Sequence, residues 1–235
     1  MASLVGSRVE RKEDKKFLTG KGRYTADINL ANQTYAYFVR SPHARASISK
    51  VDVSKASNAP GVVKILTGDD LAEDKIGGLI AGWKIVSQDG TDMKVPAHPP
   101  LANNTVNYVG DHVAVVIAET LDQAREAADL VRVDYKVLKA VVKTSDALNS
   151  KPIHEGIDKN LCFDWGLGDK SKTDEAFSKA EKIIKIDLVN NRLIPNAMEP
   201  RASIGDYNPS SENLTLYTTN QNPHLTRLVL SAFCA

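Results

Sequence analysis

Cysteine is scarce in this chain: Cys162 and Cys234 lie far apart and form no CxxC or other closely spaced ligand set. A zinc or iron-sulfur site held by these residues alone is therefore not expected. Charge of one sign is missing too. The 30 basic and 29 acidic residues leave a net charge of +1, which gives no electrostatic footing for nucleic acid or an anionic membrane. The densest charged run, residues 8–16, alternates in sign and reads as solvated surface. No apolar run reaches the roughly 18 residues of a membrane span, and the opening MASLVGSRVERKEDKK lacks the apolar core of a signal peptide. A reduced, cytoplasmic setting is the default expectation.

Several catalytic signatures are also missing. The five histidines (His43, His98, His112, His154 and His224) are scattered, with no HExxH helix, and read as surface or capping residues. Residues 20–22 (GKG) and 166–168 (GLG) complete neither GxGxxG nor GxxxxGK[ST] and read as turns. No serine sits in a GxSxG elbow. Asp27, Asp111, Asp134 and Glu199 are conceivable acids, but each lies beside a turn or strand end where capping or surface roles suffice.

What remains is a globular composition, 42% hydrophobic and 25% charged over 235 residues, enough for one large or two ordinary domains. Residues 33–40 (QTYAYFVR), 46–53 (ASISKVDV) and 61–66 (GVVKIL) read as strands, with a helical turn near 54–58. Residues 113–118 (VAVVIA) form a buried strand, followed by a Thr120/Gln123 capping box and a helix whose face is Leu121, Ala124, Ala127 or Ala128, and Leu130. Residues 131–135 (VRVDY) return as a strand, so the unit suggests a βαβ crossover on one sheet. Residues 76–100 are loop-like, a functional surface loop or a docking arm. After a linker-like stretch at 144–159 come a short helix at 173–182, a strand at 183–189 (IIKIDLV), and two hairpin arms, 201–207 and 214–219, around the turn NPSS.

The final stretch, 225–235, places Leu225, Leu228, Val229, Ala232 and Phe233 at helical spacing, with Asn222 as cap and Pro223 in the first position. No helix stop signal follows, so the chain reads as cut inside an element. Just before it, NNRLIPNAMEPR (190–201) and TTNQNPH (218–224) bring amides and a histidine to a strand–helix junction. There the amide of Gln221 can donate to a ligand oxygen while the helix start supplies positive potential. The alternative is that Gln221 and Asn222 only satisfy backbone groups at a cap.

These pieces resemble the molybdopterin-binding large subunit of the xanthine dehydrogenase and aldehyde oxidase family, in its carbon-monoxide-dehydrogenase-like branch. GKGRYTADI (20–28), FVRSPHARASI (38–48), APGVVKILTGDDL (59–71), VNYVGDHVAVVIAET (106–120), NNRLIPNAMEPRA (190–202) and TTNQNPH look like that family's segments in its order. The resemblance implies an α+β chain: an N-terminal arm at 1–17, an a/b hammerhead domain at 18–140, a linker at 141–159, and the truncated start of the molybdenum-cofactor domain at 160–235. It assigns Gln221 a hydrogen bond to an oxygen ligand on molybdenum and leaves Glu199 a structural role.

It also implies that a glycine-rich loop, an active-site loop and a catalytic glutamate lie downstream, so no catalytic residue and no metal ligand is expected within these 235 residues. Iron-sulfur clusters and FAD are expected on partner subunits, an iron-sulfur small subunit and an FAD-binding medium subunit, and the substrate is a small molecule. The fragment alone is expected to be inactive, with its first 140 or so residues folded and the rest partly disordered. A non-catalytic assembly or binding module of the same ancestry is the other reading.

Overall fold

The computed structural model describes residues 5–233; Cys234 lies outside the described residues. Its elements, in order, begin with α1 (Asp14–Leu18), β1 (Tyr35–Arg40), β2 (Ala46–Asp52), β3 (Val62–Thr67) and α2 (Gly68–Glu73). There follow β4 (Thr105–Val106), β5 (His112–Ala118), α3 (Leu121–Ala128), β6 (Arg132–Val137) and α4 (Thr144–Ala147). The last are α5 (Lys170–Ser178), β7 (Ser203–Asn208), β8 (Asn213–Thr218) and α6 (Pro223–Phe233). The mixed content is the α+β class expected. Contacts divide the chain into one unit of Met1–Gln33 with Leu188–Leu228 and another of Thr34–Asp187 with Val229–Ala235. These limits differ from the arm, hammerhead, linker and cofactor-domain boundaries drawn on the sequence.

In the second unit, two three-stranded antiparallel sheets run in the orders β1-β5-β3 and β4-β2-β6. The run VAVVIA is apolar at successive positions because β5 is a central strand covered on both faces. Val113 belongs to one core with Ala46, Ala102 and Val106. Val116, three residues on and so on the opposite face, belongs to another with Ala127 and Ala128 of α3. Small residues at Ala124, Ala127 and Ala128 let α3 lie close to the sheet. Gly61 tightens the same place, since at φ +72 a side chain is strained and its Cβ would fall 2.3 Å from the Gln123 amide.

The crossover expected from 113–135 is not what forms. β5 and β6 lie in different sheets, and β6 pairs antiparallel with β2, Val51 opposite Val133. The local pattern strand–helix–strand was read correctly, but it does not name the pairing partner, which here is the alternating strand ASISKVD.

The capping of α3 also differs in detail. Thr120 Oγ1 accepts from the Gln123 amide at 3.2 Å, while the Gln123 side chain takes the Thr120 hydroxyl proton at 3.0 Å instead of reaching a backbone amide.

The irregular segment 76–100 is a docked arm. Its Gln88 amide donates to Asp164 O and its Lys94 amide to Cys162 O, at 2.8 and 2.9 Å. The stretch read as a linker is tied down as well. The Asn160 side chain accepts from the Ile153 amide at 2.8 Å and donates to Ala147 O at 2.9 Å, and Arg45 reaches Ile153 O at 3.0 Å. The strand expected at 183–189 is absent: those residues are irregular and exposed, with no partner strand among the described residues. α5 begins and ends a few residues before the helix expected at 173–182, because Asp169 caps it through the Lys172 amide at 3.0 Å.

Candidate functional site

The first unit holds the hairpin β7–β8, in register from Ser203 opposite Thr218 to Asn208 opposite Asn213. Asn208 closes its turn by accepting from the Ser210 amide at 2.9 Å, the Asx-type turn read from NPSS. β8 delivers the chain to Thr219, whose amide still donates to Ala202 O at 3.2 Å. Four residues later α6 begins at Pro223, where a missing N–H costs nothing.

Between strand and helix, Asn220 organises the turn. Its Oδ1 accepts from the Asn222 amide at 2.9 Å and its Nδ2 donates to the Thr226 hydroxyl. The Asn222 carbonyl accepts the first helical bond, from Thr226. Asn222 therefore caps through its backbone, while the side chain that holds the start is Asn220, a role the sequence reading did not assign.

Gln221 sits between these two fixed residues, exposed, its side-chain amide forming no hydrogen bond among the described residues. The alternative of a side-chain cap is thus not what the structure shows for Gln221. The amides of His224 and Leu225 likewise find no acceptor there, as befits the first turn of a helix. The donor set is one uncommitted carboxamide beside unpaired helix-start N–H groups, chemistry suited to an oxygen-rich or anionic ligand. It fits a molybdenum-pterin group.

The other candidates are satisfied locally. Asp27 accepts from the Tyr24 amide at 2.8 Å, and Asp134 is exposed on β6. Asp111 is buried and accepts from the Asn107 amide at 3.0 Å. Glu199 is different: its Oε1 takes the Thr25 amide and the Thr219 hydroxyl, both at 3.1 Å.

Four histidines lie in the second unit. His43 meets the Tyr135 ring edge-on at 5.0 Å, and His112 stacks on Phe38 at 4.6 Å. His98 and His154 share a cavity of about 310 Å³ with Asn107, Tyr108 and Asp111. Burial, reinforced by Arg45, pushes the His154 pKa down, and burial beside Asp111 pushes that of Tyr108 up. Among the described residues no three His, Cys, Asp or Glu side chains gather as a metal site, and Cys162 is a free, half-buried thiol. No described helix is long and apolar enough to cross a membrane.

Comparison with known proteins places these two regions. Residues 19–139, just over half the chain, match the family model for the aldehyde oxidase and xanthine dehydrogenase a/b hammerhead domain. Residues 153–235, which include Gln221, match that for a molybdopterin cofactor-binding domain. The chain is 34% identical to the nicotine 6-hydroxylase large subunit of Paenarthrobacter nicotinovorans, over 98% of its own length and 28% of that protein's. It is 32% identical to the carbon monoxide dehydrogenase large chain of Afipia carboxidovorans, over 97% and 28%.

Among solved structures, the Cu,Mo-CO dehydrogenase superposes with a TM-score of 0.81 at 30% identity, over 97% of this chain and 29% of that one. Quinoline 2-oxidoreductase from Pseudomonas putida 86 gives 0.80 at 30%, over 97% and 28%. The chain thus spans between a quarter and a third of the length of these relatives.

Proposed function

We propose a function from the premise that this chain belongs to the aldehyde oxidase and xanthine dehydrogenase family: it is the N-terminal part of a molybdenum hydroxylase large subunit. The whole protein oxidises a small substrate, an aldehyde, an N-heterocycle or carbon monoxide, in the cytoplasm. It passes the electrons to an iron-sulfur small subunit and an FAD-binding medium subunit. Residues 18–140 are its hammerhead domain and 160–235 the start of its cofactor domain. These 235 residues alone do not turn over substrate.

The observation that carries this reading is the open carboxamide of Gln221, in a turn fixed on both sides, inside the region matched to a molybdopterin cofactor-binding domain. When bound, the molybdenum-pterin group supplies two-electron oxidation with water as the oxygen source. The chain's own contribution is positional. Gln221 Nε2 would hold the group by donating a hydrogen bond, and the unpaired amides of His224 and Leu225 would add positive potential. The turn held by Asn220 orients the carboxamide without consuming it.

Expression of the full-length subunit with its neighbours, followed by molybdenum and pterin analysis, tests the reading. A complex free of both overturns it. Gln221→Ala is expected to lower molybdenum content or activity about tenfold or more at unchanged protein yield. Equal losses in yield and activity would instead assign Gln221 to folding.

A further inference from the structure

One acid in this chain is less exposed than the apolar residues around it. Every residue from 163 to 198 is exposed, Ile194 and Met198 among them, whereas Glu199 is half-buried. Its Oε1 joins two distant segments, accepting from the Thr25 amide and from the Thr219 hydroxyl. The hydroxyls of Thr25 and Thr219 are themselves 3.3 Å apart.

Proton counting fixes the direction of that last bond. A carboxylate only accepts, so the single Thr219 hydroxyl proton goes to Glu199, and the Thr25 hydroxyl must then donate to Thr219 Oγ1. The three groups form one closed set in which every proton has a use. Next to it, Thr218 shares a hydrogen bond with Ser203 at 2.8 Å, so the end of β8 is held from both sides.

We propose that Glu199 is a positioning residue for Gln221: by clamping the Thr219 hydroxyl two residues upstream, it fixes the strand end from which the free carboxamide projects. The proposal rests on the reading of Gln221 as a cofactor contact. Its physical basis is that only one side of the turn is anchored by Asn220, which acts on Asn222 and Thr226. On the other side the Thr219 backbone is tied to Ala202 O, and Glu199 adds the hold on the Thr219 side chain. The arrangement also makes the short helical turn at Thr25–Asp27 part of the cofactor apparatus, since its first amide is the third member of the clamp.

The test uses the 235-residue chain and no cofactor. Amide hydrogen exchange at Thr25 and nuclear relaxation at Gln221 are measured in the wild type and in Glu199→Ala, Glu199→Gln and Thr219→Val, with amides of β5 as the control. Glu199→Ala is expected to speed Thr25 exchange at least tenfold and to loosen the Gln221 backbone, leaving β5 unchanged. Glu199→Gln, which keeps an acceptor oxygen, restores order at Gln221.

Faster Thr25 exchange with Gln221 unmoved overturns the proposal and leaves Glu199 a structural tie. If Glu199→Ala unfolds the hairpin, Thr219→Val decides: it removes only the hydroxyl, and an unchanged Gln221 overturns the clamp. Loss of the cofactor reading is recognised separately, as unchanged molybdenum content together with unchanged activity in Gln221→Ala of the full-length subunit.

Discussion

Two stretches of this chain are rich in β-branched and aliphatic residues and have opposite fates. VAVVIA, within β5, lies between β1 and β3, and Val113, Ala114, Val116 and Ala118 are wholly buried. IIKIDLV, at 183–189, forms no strand, and its Ile186 and Leu188 are 70% and 87% exposed. Lys185 and Asp187 alone do not forbid a strand with one wet face; what 183–189 lacks is a neighbour to pair with among the described residues. A strand is a pairing, and without a ladder an extended apolar segment has only water for its backbone groups.

The largest expected effect tests this contrast directly. Val116→Asp places an unpaired charge against Ala127 and Ala128 and is expected to cost at least about 4 kcal/mol, abolishing cooperative unfolding of the two-sheet unit. Ile186→Asp is expected to change stability by less than about 0.5 kcal/mol. Urea titrations followed by circular dichroism compare them, and equal losses would show that 183–189 is packed in solution.

A smaller effect concerns the helix that covers β5. Thr120→Ala removes the acceptor for the Gln123 amide and is expected to cost about 1 kcal/mol. A loss near zero would mean that packing of the three alanines alone holds α3 in place.

The smallest effect is in pH. Burial, and then the neighbouring Arg40, lowers the pKa of His112 at the start of β5. The unfolded chain takes up its proton first, near pH 6.5, so this contribution to stability is present above that pH. It is lost as pH falls from there through the folded-state value. His154, also lowered, acts in the same direction within the same unit. His112→Gln is therefore expected to make the decline in urea midpoint between pH 7 and 5 shallower without abolishing it. An unaltered slope would assign the decline elsewhere.

Much of this architecture was legible in the sequence, for identifiable reasons. β5, α3 and the β7–β8 hairpin each carry a local signal: an apolar run, an N-cap with helical spacing, and a turn of Asn and Pro. The start of α6 at Pro223 was legible for the same reason. The partner of β6 was not, because pairing is a long-range choice, and at 183–189 the apolar pattern overstates strand formation because apolarity does not supply a partner.

At the candidate site, the strand–helix junction that carries Gln221 was legible from the Asn and Pro around it. The turn held by Asn220 was not, nor was Glu199 meeting Thr25. That contact joins residues 174 positions apart, for which no spacing rule exists.

That separation has a consequence for the order in which the chain is made. Thr25 is synthesised before the strands β1 to β6, whereas the carboxylate that receives its amide and the hydroxyl beside it are synthesised after them. At about 5–20 residues per second, the N-terminal turn waits on the order of ten seconds or more for its partners. For that interval Thr25 lacks its native partner, and the strands β1 to β6, made in between, have time to fold.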